Sequence, residues 1–458
     1  MQWPVFQLLC LTLQMTSKEN SGLKRQLGAG SLAINAINLT IGTGIFILPA
    51  YVAGYLGAMG FLAYLFCSVL IGLIMLCFAE MGSTKTSRGG AYTMIKDAFG
   101  PLAGFLSNTL FWFGYGILSD AAIINVMSDM LGIWFPSFNE FWFRSLFIFV
   151  VIAVFALVNI RGVKSGIRMV IILTILKLTP LVLLVVIGIF SLQPENLILT
   201  ALPDLSTFGA ACILLIFAFQ GSESALNISG EMKNPGKTIP RGIFIGIAGI
   251  LVIYLLIQFV ATGVLGTELA LFQEAPLAEV AIRLVGPIGG TILIATGVIS
   301  MYAVVGGDIL VTSRLPFVAS ENGLLPKILS KVHPKYKSPY ISIILFCGLL
   351  FIMAISGGFK TLAILASSAV LIIYLGVVLA MFKSRLKPDL ANPPMFKVPG
   401  GLLVPILSLI VLIWILSYVP FNEYIAIGIF FIVATLFYYW YAWWKKKNRP
   451  AVDLLLKK

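Results

Sequence analysis

The chain has 458 residues, of which 59% are hydrophobic and only 11% charged, with a formal net charge of +13. A soluble globular chain carries roughly 25% charged residues, so this composition excludes a protein solvated over its whole surface. Apolar stretches of about 18 or more residues recur throughout, each long enough to cross a bilayer as a helix, and they predict an all-α integral membrane protein.

In chain order the predicted spans are 29–53, 56–79, 101–131, 143–160, 167–191, 206–230, 241–265, 289–313, 339–357, 361–382, 402–419 and 422–444. Residues 1–28 read as a cytoplasmic tail, within which 1–14 is apolar but too short and too poor in basic residues for a signal peptide; it reads as a start-site extension. The transporting core would be 29–383, followed by a cytoplasmic loop at 384–401, two further helices at 402–445 and a cytoplasmic tail at 446–458. Residues 266–288 are too polar to span, and their spaced apolar positions predict an amphipathic external lid.

Charge distribution gives the orientation. All but four of the 31 basic residues fall in segments that are cytoplasmic if both termini are inside, the exceptions being Arg144, Arg283, Lys360 and Lys177. The positive-inside bias accounts for the net charge and removes the case for nucleic-acid binding; the surrounding medium is the lipid bilayer of the cell membrane. Five cysteines lie in apolar segments without metal or redox spacing, and the single histidine, His333, sits in a loop. No metal site, cofactor motif or histidine proton relay is expected.

Two stretches break the helical pattern. Span one reads "NLTIGTGIFILP", with Gly42 and Gly44 around Thr43, and span six reads "IFAFQGSESALNISG", with Gly221 at its middle. One such site is compatible with close helix packing alone. Two of them five helices apart indicate paired discontinuous helices in an inverted 5+5 repeat, with a binding site between the halves. Irregular backbone at membrane depth is tolerated where it lines a cavity or is buried in protein. The free N–H groups at the start of the second half-helix, near Thr43–Ile45, carry partial positive charge and suit a carboxylate, with the Thr43 hydroxyl as a further donor. Carbonyls around Thr40–Ile41 and Phe217–Gln220 suit an ammonium. Donors on one side and acceptors on the other fit a zwitterionic α-amino acid.

At these residues the sequence resembles the amino acid–polyamine–organocation superfamily of transporters, through "IGTGIFILP", "AEMGSTKTSRGGAYTMIKDAFGP", "NIRGVKSG", "GSESALNISGEMKNPGKTIPRGI" and "SRLPFVASENGLLPK", in that order. The resemblance implies about twelve transmembrane helices in a leucine-transporter-like fold, alternating access and an amino acid or related amine as substrate. Carried over by position, Thr40, Ile41, Gly42, Thr43, Gly44, Phe217 and Gln220 would line the substrate site, with Phe111 as an aromatic beside it and Glu223 helping to hold a gate. Phe217 stands where one exchanger subgroup has a tryptophan, which argues against that subgroup's guanidinium substrate.

Ionisable residues inside spans are functional candidates by default. Lys177 lies too deep in span five to snorkel. In sodium-coupled members of the resembled fold an ion bridges helices one, five and eight, and a lysine here matches members that need no sodium; its expected acceptors are carbonyls near Gly42 and the hydroxyls of Thr312 or Ser313. Asp120 reads either as a proton site or as a partner for a serine or asparagine. Asp308 pairs with a substrate cation or with Arg314. Protons are accordingly a possible coupled ion, and symport and exchange stay open. The competing class is an intramembrane aspartyl protease built on Asp120 and Asp308, but Val305 and Ser119 occupy positions that break both protease motifs. A phosphate-binding loop and a channel filter are both missing from the sequence. Transport of polyamines or other organic amines is the alternative within the transporter class.

Overall fold

The computed structural model describes residues 28–83, 90–161, 167–198, 202–223, 232–387, 394 and 396–447. The expected N-terminal extension and tail, the end of the C-terminal tail, residues 388–393 and 395 of the 384–401 loop and the half of span six directly beyond Glu223 lie outside the described residues.

Described residues are helical, with short connections: α1 Ala29–Thr40, α2 Gly44–Leu56, α3 Gly60–Gly82, α4 Gly90–Phe99, α5 Pro101–Gly132, α6 Phe141–Arg161, α7 Ile167–Gly188, α8 Leu205–Phe219, α9 Pro235–Leu265, α10 Pro276–Val285, α11 Pro287–Thr312, α12 Leu315–Glu321, α13 Tyr340–Ser356, α14 Phe359–Leu386, α15 Leu403–Leu416 and α16 Phe421–Lys447. Among them seven helical stretches are long and apolar enough to cross a membrane, joined by four shorter apolar helices.

Burial sorts these helices. In α5, 83% of the apolar window is buried within the protein, against 11% in α16. α5 is therefore the central post, while α16 offers Ile425, Ile429, Ile432, Val433 and Leu436 outward, as a lipid-facing helix must. α9 lies directly along α1 because Gly242, Gly246 and Gly249 carry no side chains where Leu32, Ala33, Ala36 and Ile37 approach; small residues supply the close packing that lipid gives no hydrophobic drive to form.

The 266–288 segment folds as expected into a short amphipathic helix. α10 buries Leu277, Ala278, Val280 and Ala281 and turns Arg283 outward to Glu268 at 2.8 Å.

A second tie was not foreseen. Arg385 near the end of α14 donates to both carboxylate oxygens of Glu80 at 2.8 and 2.5 Å and to the Val398 carbonyl at 2.8 Å. The Val398 N–H in turn donates to Glu80 at 2.6 Å, and Ser83 exchanges hydrogen bonds with the backbone of Phe396. A bidentate pair with its remaining lone pairs satisfied is the arrangement in which a buried ion pair offsets its desolvation. It fixes the loop after α14 to the end of α3. Glu80 was legible as an acid at the end of an apolar span, whereas its partner, more than 300 positions away, was not.

Candidate functional site

The first break falls at residues 41–43, between α1 and α2. Ile41 closes α1 by donating its N–H to Ile37 at 2.9 Å, and α2 begins without a side-chain cap. Glycine and a β-branched threonine are poor helix formers, and here neighbouring helices take over the released backbone groups. Lys177 of α7 donates to the carbonyls of Ile41 at 2.8 Å and Asn38 at 3.1 Å. Tyr254 of α9 places its hydroxyl 3.2 Å from the Thr40 carbonyl and 2.6 Å from that of Ala218 in α8, bridging both broken segments.

The second break begins at Gln220. Gly221 has φ +97°, a left-handed conformation that favours glycine. Its N–H donates to the Glu223 carboxylate at 3.3 Å, Ser222 donates to the Phe219 carbonyl at 3.1 Å, and Tyr374 of α14 donates to Glu223 at 2.8 Å. Ser119 of α5 donates to the Gln220 side-chain oxygen at 2.8 Å.

The two breaks interlock. A Cβ on Gly44 would lie 2.8 Å from the Ala218 Cα, and a Cβ on Gly221 would lie 2.7 Å from the Leu39 carbonyl oxygen. Each glycine is where the other broken helix crosses. Gly44 is thus a packing position whose N–H remains at the helix start, and a substitution there meets α8 before it meets any ligand. Gly42 is the roomier glycine, its nearest neighbour being a methyl of Val304 at 3.7 Å.

Several polar groups around the breaks are buried without a hydrogen-bond partner: the hydroxyls of Thr40 and Thr43 and the side-chain NH₂ of Gln220. A buried unsatisfied polar group costs about 1–3 kcal/mol, so native proteins leave few of them. With the first N–H groups of α2 they are polar groups at the two breaks that the described residues leave unpaired.

Other expected residues sit differently. The Ile41 carbonyl is already engaged by Lys177. Thr312 donates to Asp308 at 2.9 Å rather than serving Lys177, and Ser313 is fully buried with its hydroxyl unpartnered. Phe111 lies at a tilt beside Tyr115, with ring centroids 4.9 Å apart, and packs with Phe430 and Phe431 against Leu110, Ala369 and Ile373. It takes part in the packing between α5, α14 and α16. Residues 110–117 form a π-helical segment in the middle of α5. Such segments occur where function tolerates a weakened helix. Gly114 and Gly116 within it make room for Ala369 and Thr312.

Asp120 follows that segment, one residue after Ser119. Its Oδ2 is buried without a hydrogen-bond partner, and Asp308 of α11 accepts from Thr312. Tyr254 and Tyr374 were also missed. The signal for Tyr254 was the pair of polar-tipped residues Tyr254 and Gln258, one turn apart in the otherwise aliphatic "LVIYLLIQFV".

An amino acid permease family model matches residues 27–443. The chain is 30% identical to the serine/threonine exchanger of Bacillus subtilis over 405 residues, covering 85% of this chain and 90% of that protein. It is 27% identical to the branched-chain amino acid permease of the same organism, over 86% of this chain and 88% of the relative. Identity to the human cystine/glutamate transporter is 29%, over 87% of this chain and 80% of the relative. Two membrane carboxyls are also what an aspartyl protease needs, but the similarity spans the whole helical unit and its relatives are transporters. The chain belongs to the amino acid permease family, within the amino acid–polyamine–organocation superfamily, and is a transporter rather than an enzyme.

Proposed function

We propose that this protein carries amino acids across the cell membrane by alternating access, using twelve spans of which the first ten form a 5+5 inverted repeat, with both termini cytoplasmic. The observation that carries the reading is the pair of interlocked breaks, α1/α2 and the end of α8, with unpartnered donors from Thr40, Thr43 and Gln220 beside the start of α2. The substrate carboxylate binds at those donors, and the carbonyls of Phe217 and Gln220 receive the ammonium. Three of the relatives are named as amino acid carriers, which supports the substrate class, although a further relative, 26% identical, is named a methylthioribose transporter.

Transport needs no sodium in this reading. The Lys177 ammonium supplies a fixed positive charge to the carbonyls of Asn38 and Ile41, the role an ion would play at a broken helix. Glu223, held by Tyr374 and capping Gly221, ties the second break to α14 and acts in the gate. Net movement proceeds by exchange or proton symport.

Uptake of labelled amino acids into proteoliposomes tests this directly, with and without amino acid inside and with choline replacing sodium at constant pH. Saturable uptake undiminished in choline is expected. No uptake of any amino acid would overturn the substrate class, and complete loss in choline would overturn the role given to Lys177.

A further inference from the structure

The transport site leaves the loop between α12 and α13 without a role. Residues 322–340 carry Lys327, Lys331, Lys335 and Lys337 and no acid. The pattern is regular: "KILSKVHPKYKS" sets a lysine at 327, 331 and 335, each followed by an apolar or aromatic residue, Ile328, Val332 and Tyr336. All four lysines and these three neighbours are exposed. Among the described residues none of the lysines is in an ion pair. The acid nearest along the chain, Glu321 at the end of α12, is exposed and pairs with none of them. Arg161, exposed at the end of α6, adds a fifth cation, because Ser338 donates to the carbonyl of the preceding Ile160 at 2.6 Å.

Internal bonds hold this loop in shape. Leu329 is buried with Phe105, Ala319 and Leu325, its carbonyl accepts from Ser342 of α13 at 2.9 Å, and Ser320 of α12 donates to the Pro326 carbonyl at 2.7 Å. Further on, His333 Nδ1 accepts from the N–H groups of Lys335 and Tyr336, both at 3.2 Å. The His333 N–H donates to the Ser338 carbonyl at 2.8 Å, and the Lys337 N–H donates to the His333 carbonyl at 2.9 Å. The lysines therefore stand on a fixed backbone, so a partner has less chain to order on binding. Tyr340 opens the apolar helix α13 three residues after Lys337, which places the loop where that helix leaves the bilayer.

We propose that the 327–337 loop, together with Arg161, is a docking surface for anionic lipid headgroups, the phosphodiesters of the leaflet it faces. Cations without acidic partners attract that negative surface, and long lysine stems let the ammonium reach a phosphate while the stem lies along apolar surface. Ile328, Val332 and Tyr336 supply the second half of an interfacial contact, apolar groups that enter the boundary between headgroups and acyl chains. A lipid fits better than an acidic protein because the apolar residues alternate with the lysines at the edge of the bilayer itself. In the orientation of the transport reading this leaflet is the cytoplasmic one. The surface does not depend on which substrate is carried.

The test counts, by native mass spectrometry, the lipids retained by the full chain in non-ionic detergent micelles with equimolar phosphatidylglycerol and phosphatidylcholine. Wild type should retain phosphatidylglycerol in preference by about tenfold or more. Replacing Lys327, Lys331 and Lys335 together by Gln should bring that preference close to one. The pair Lys331→Glu and Lys335→Glu should do the same and stands in if the triple variant does not fold. Replacing Lys445, Lys446 and Lys447 at the end of α16 by Gln removes the same charge elsewhere and should leave the preference in place. Excess inorganic phosphate should not displace the retained lipid. No preference in wild type, a preference kept by the folded loop variants, equal loss in the α16 variant, or displacement by phosphate each overturns the proposal. The measurement involves no transport, so its failure leaves the transport reading intact, and failure of uptake leaves the lipid surface intact.

Discussion

The two breaks solve one problem in opposite ways. At the second, the chain caps itself: Glu223 accepts the Gly221 N–H, Ser222 covers the Phe219 carbonyl, and Tyr374 steadies the acid. At the first, the backbone depends on distant helices, with Lys177 and Tyr254 on its carbonyls and the Thr40 and Thr43 hydroxyls left unpartnered. A self-capped break is a rigid reference. A break whose donors are unpaired and whose acceptors are held by a removable cation is one that a ligand can complete and a neighbouring helix can move.

The comparison predicts that the rigid break fails by folding. Gly221→Ala combines a left-handed conformation, costing roughly 1–3 kcal/mol for a non-glycine residue, with a collision against the Leu39 carbonyl. It is expected to lower the unfolding temperature in detergent more than any other change considered. Wild-type thermal stability would show that the second break is not held as described.

Gly44→Ala and Gly42→Ala sharpen the contrast within the first break. The methyl at Gly44 meets the α8 backbone, and overpacking of this kind costs about 1–3 kcal/mol. The methyl at Gly42 finds ordinary contact distances. Gly44→Ala should lose stability and uptake together, whereas Gly42→Ala should fold like wild type. Equal thermal stability of the two variants would remove the interlock of α2 and α8.

Lys177→Ala takes away charge-assisted hydrogen bonds worth about 1.5–3 kcal/mol each and leaves two buried carbonyls short of a donor. Uptake should fall by about tenfold or more, a factor of ten corresponding to about 1.4 kcal/mol, while equilibrium substrate binding falls less. Lys177→Arg should not restore uptake, because a planar fork does not replace a compact ammonium. Uptake and binding measured side by side decide it, and normal uptake by the alanine variant would make Lys177 an ordinary structural lysine.

The smallest effect is expected from Tyr254→Phe. Loss of one hydroxyl that bridges Ala218 and Thr40 costs about 0.5–1.5 kcal/mol, seen as a modest drop in thermal stability with uptake retained at a reduced rate. No change in either would mean that the bridge between the broken segments contributes nothing.

By itself the sequence determined the helical membrane class, the segment at 266–288, both breaks and Lys177 as a deep cation. These rest on local properties: hydropathy over a membrane's thickness, charge flanking each span, and glycine where a helix must open. Tertiary structure decided which groups meet. It assigned Lys177 to Ile41 and Asn38 instead of to Thr312 or Ser313, made Gly44 a crossing point, and joined Glu80 to Arg385. These pairings depend on helix rotation and close approach between residues up to more than 300 positions apart. Neither propensity nor spacing along the chain encodes the angle at which one helix faces another.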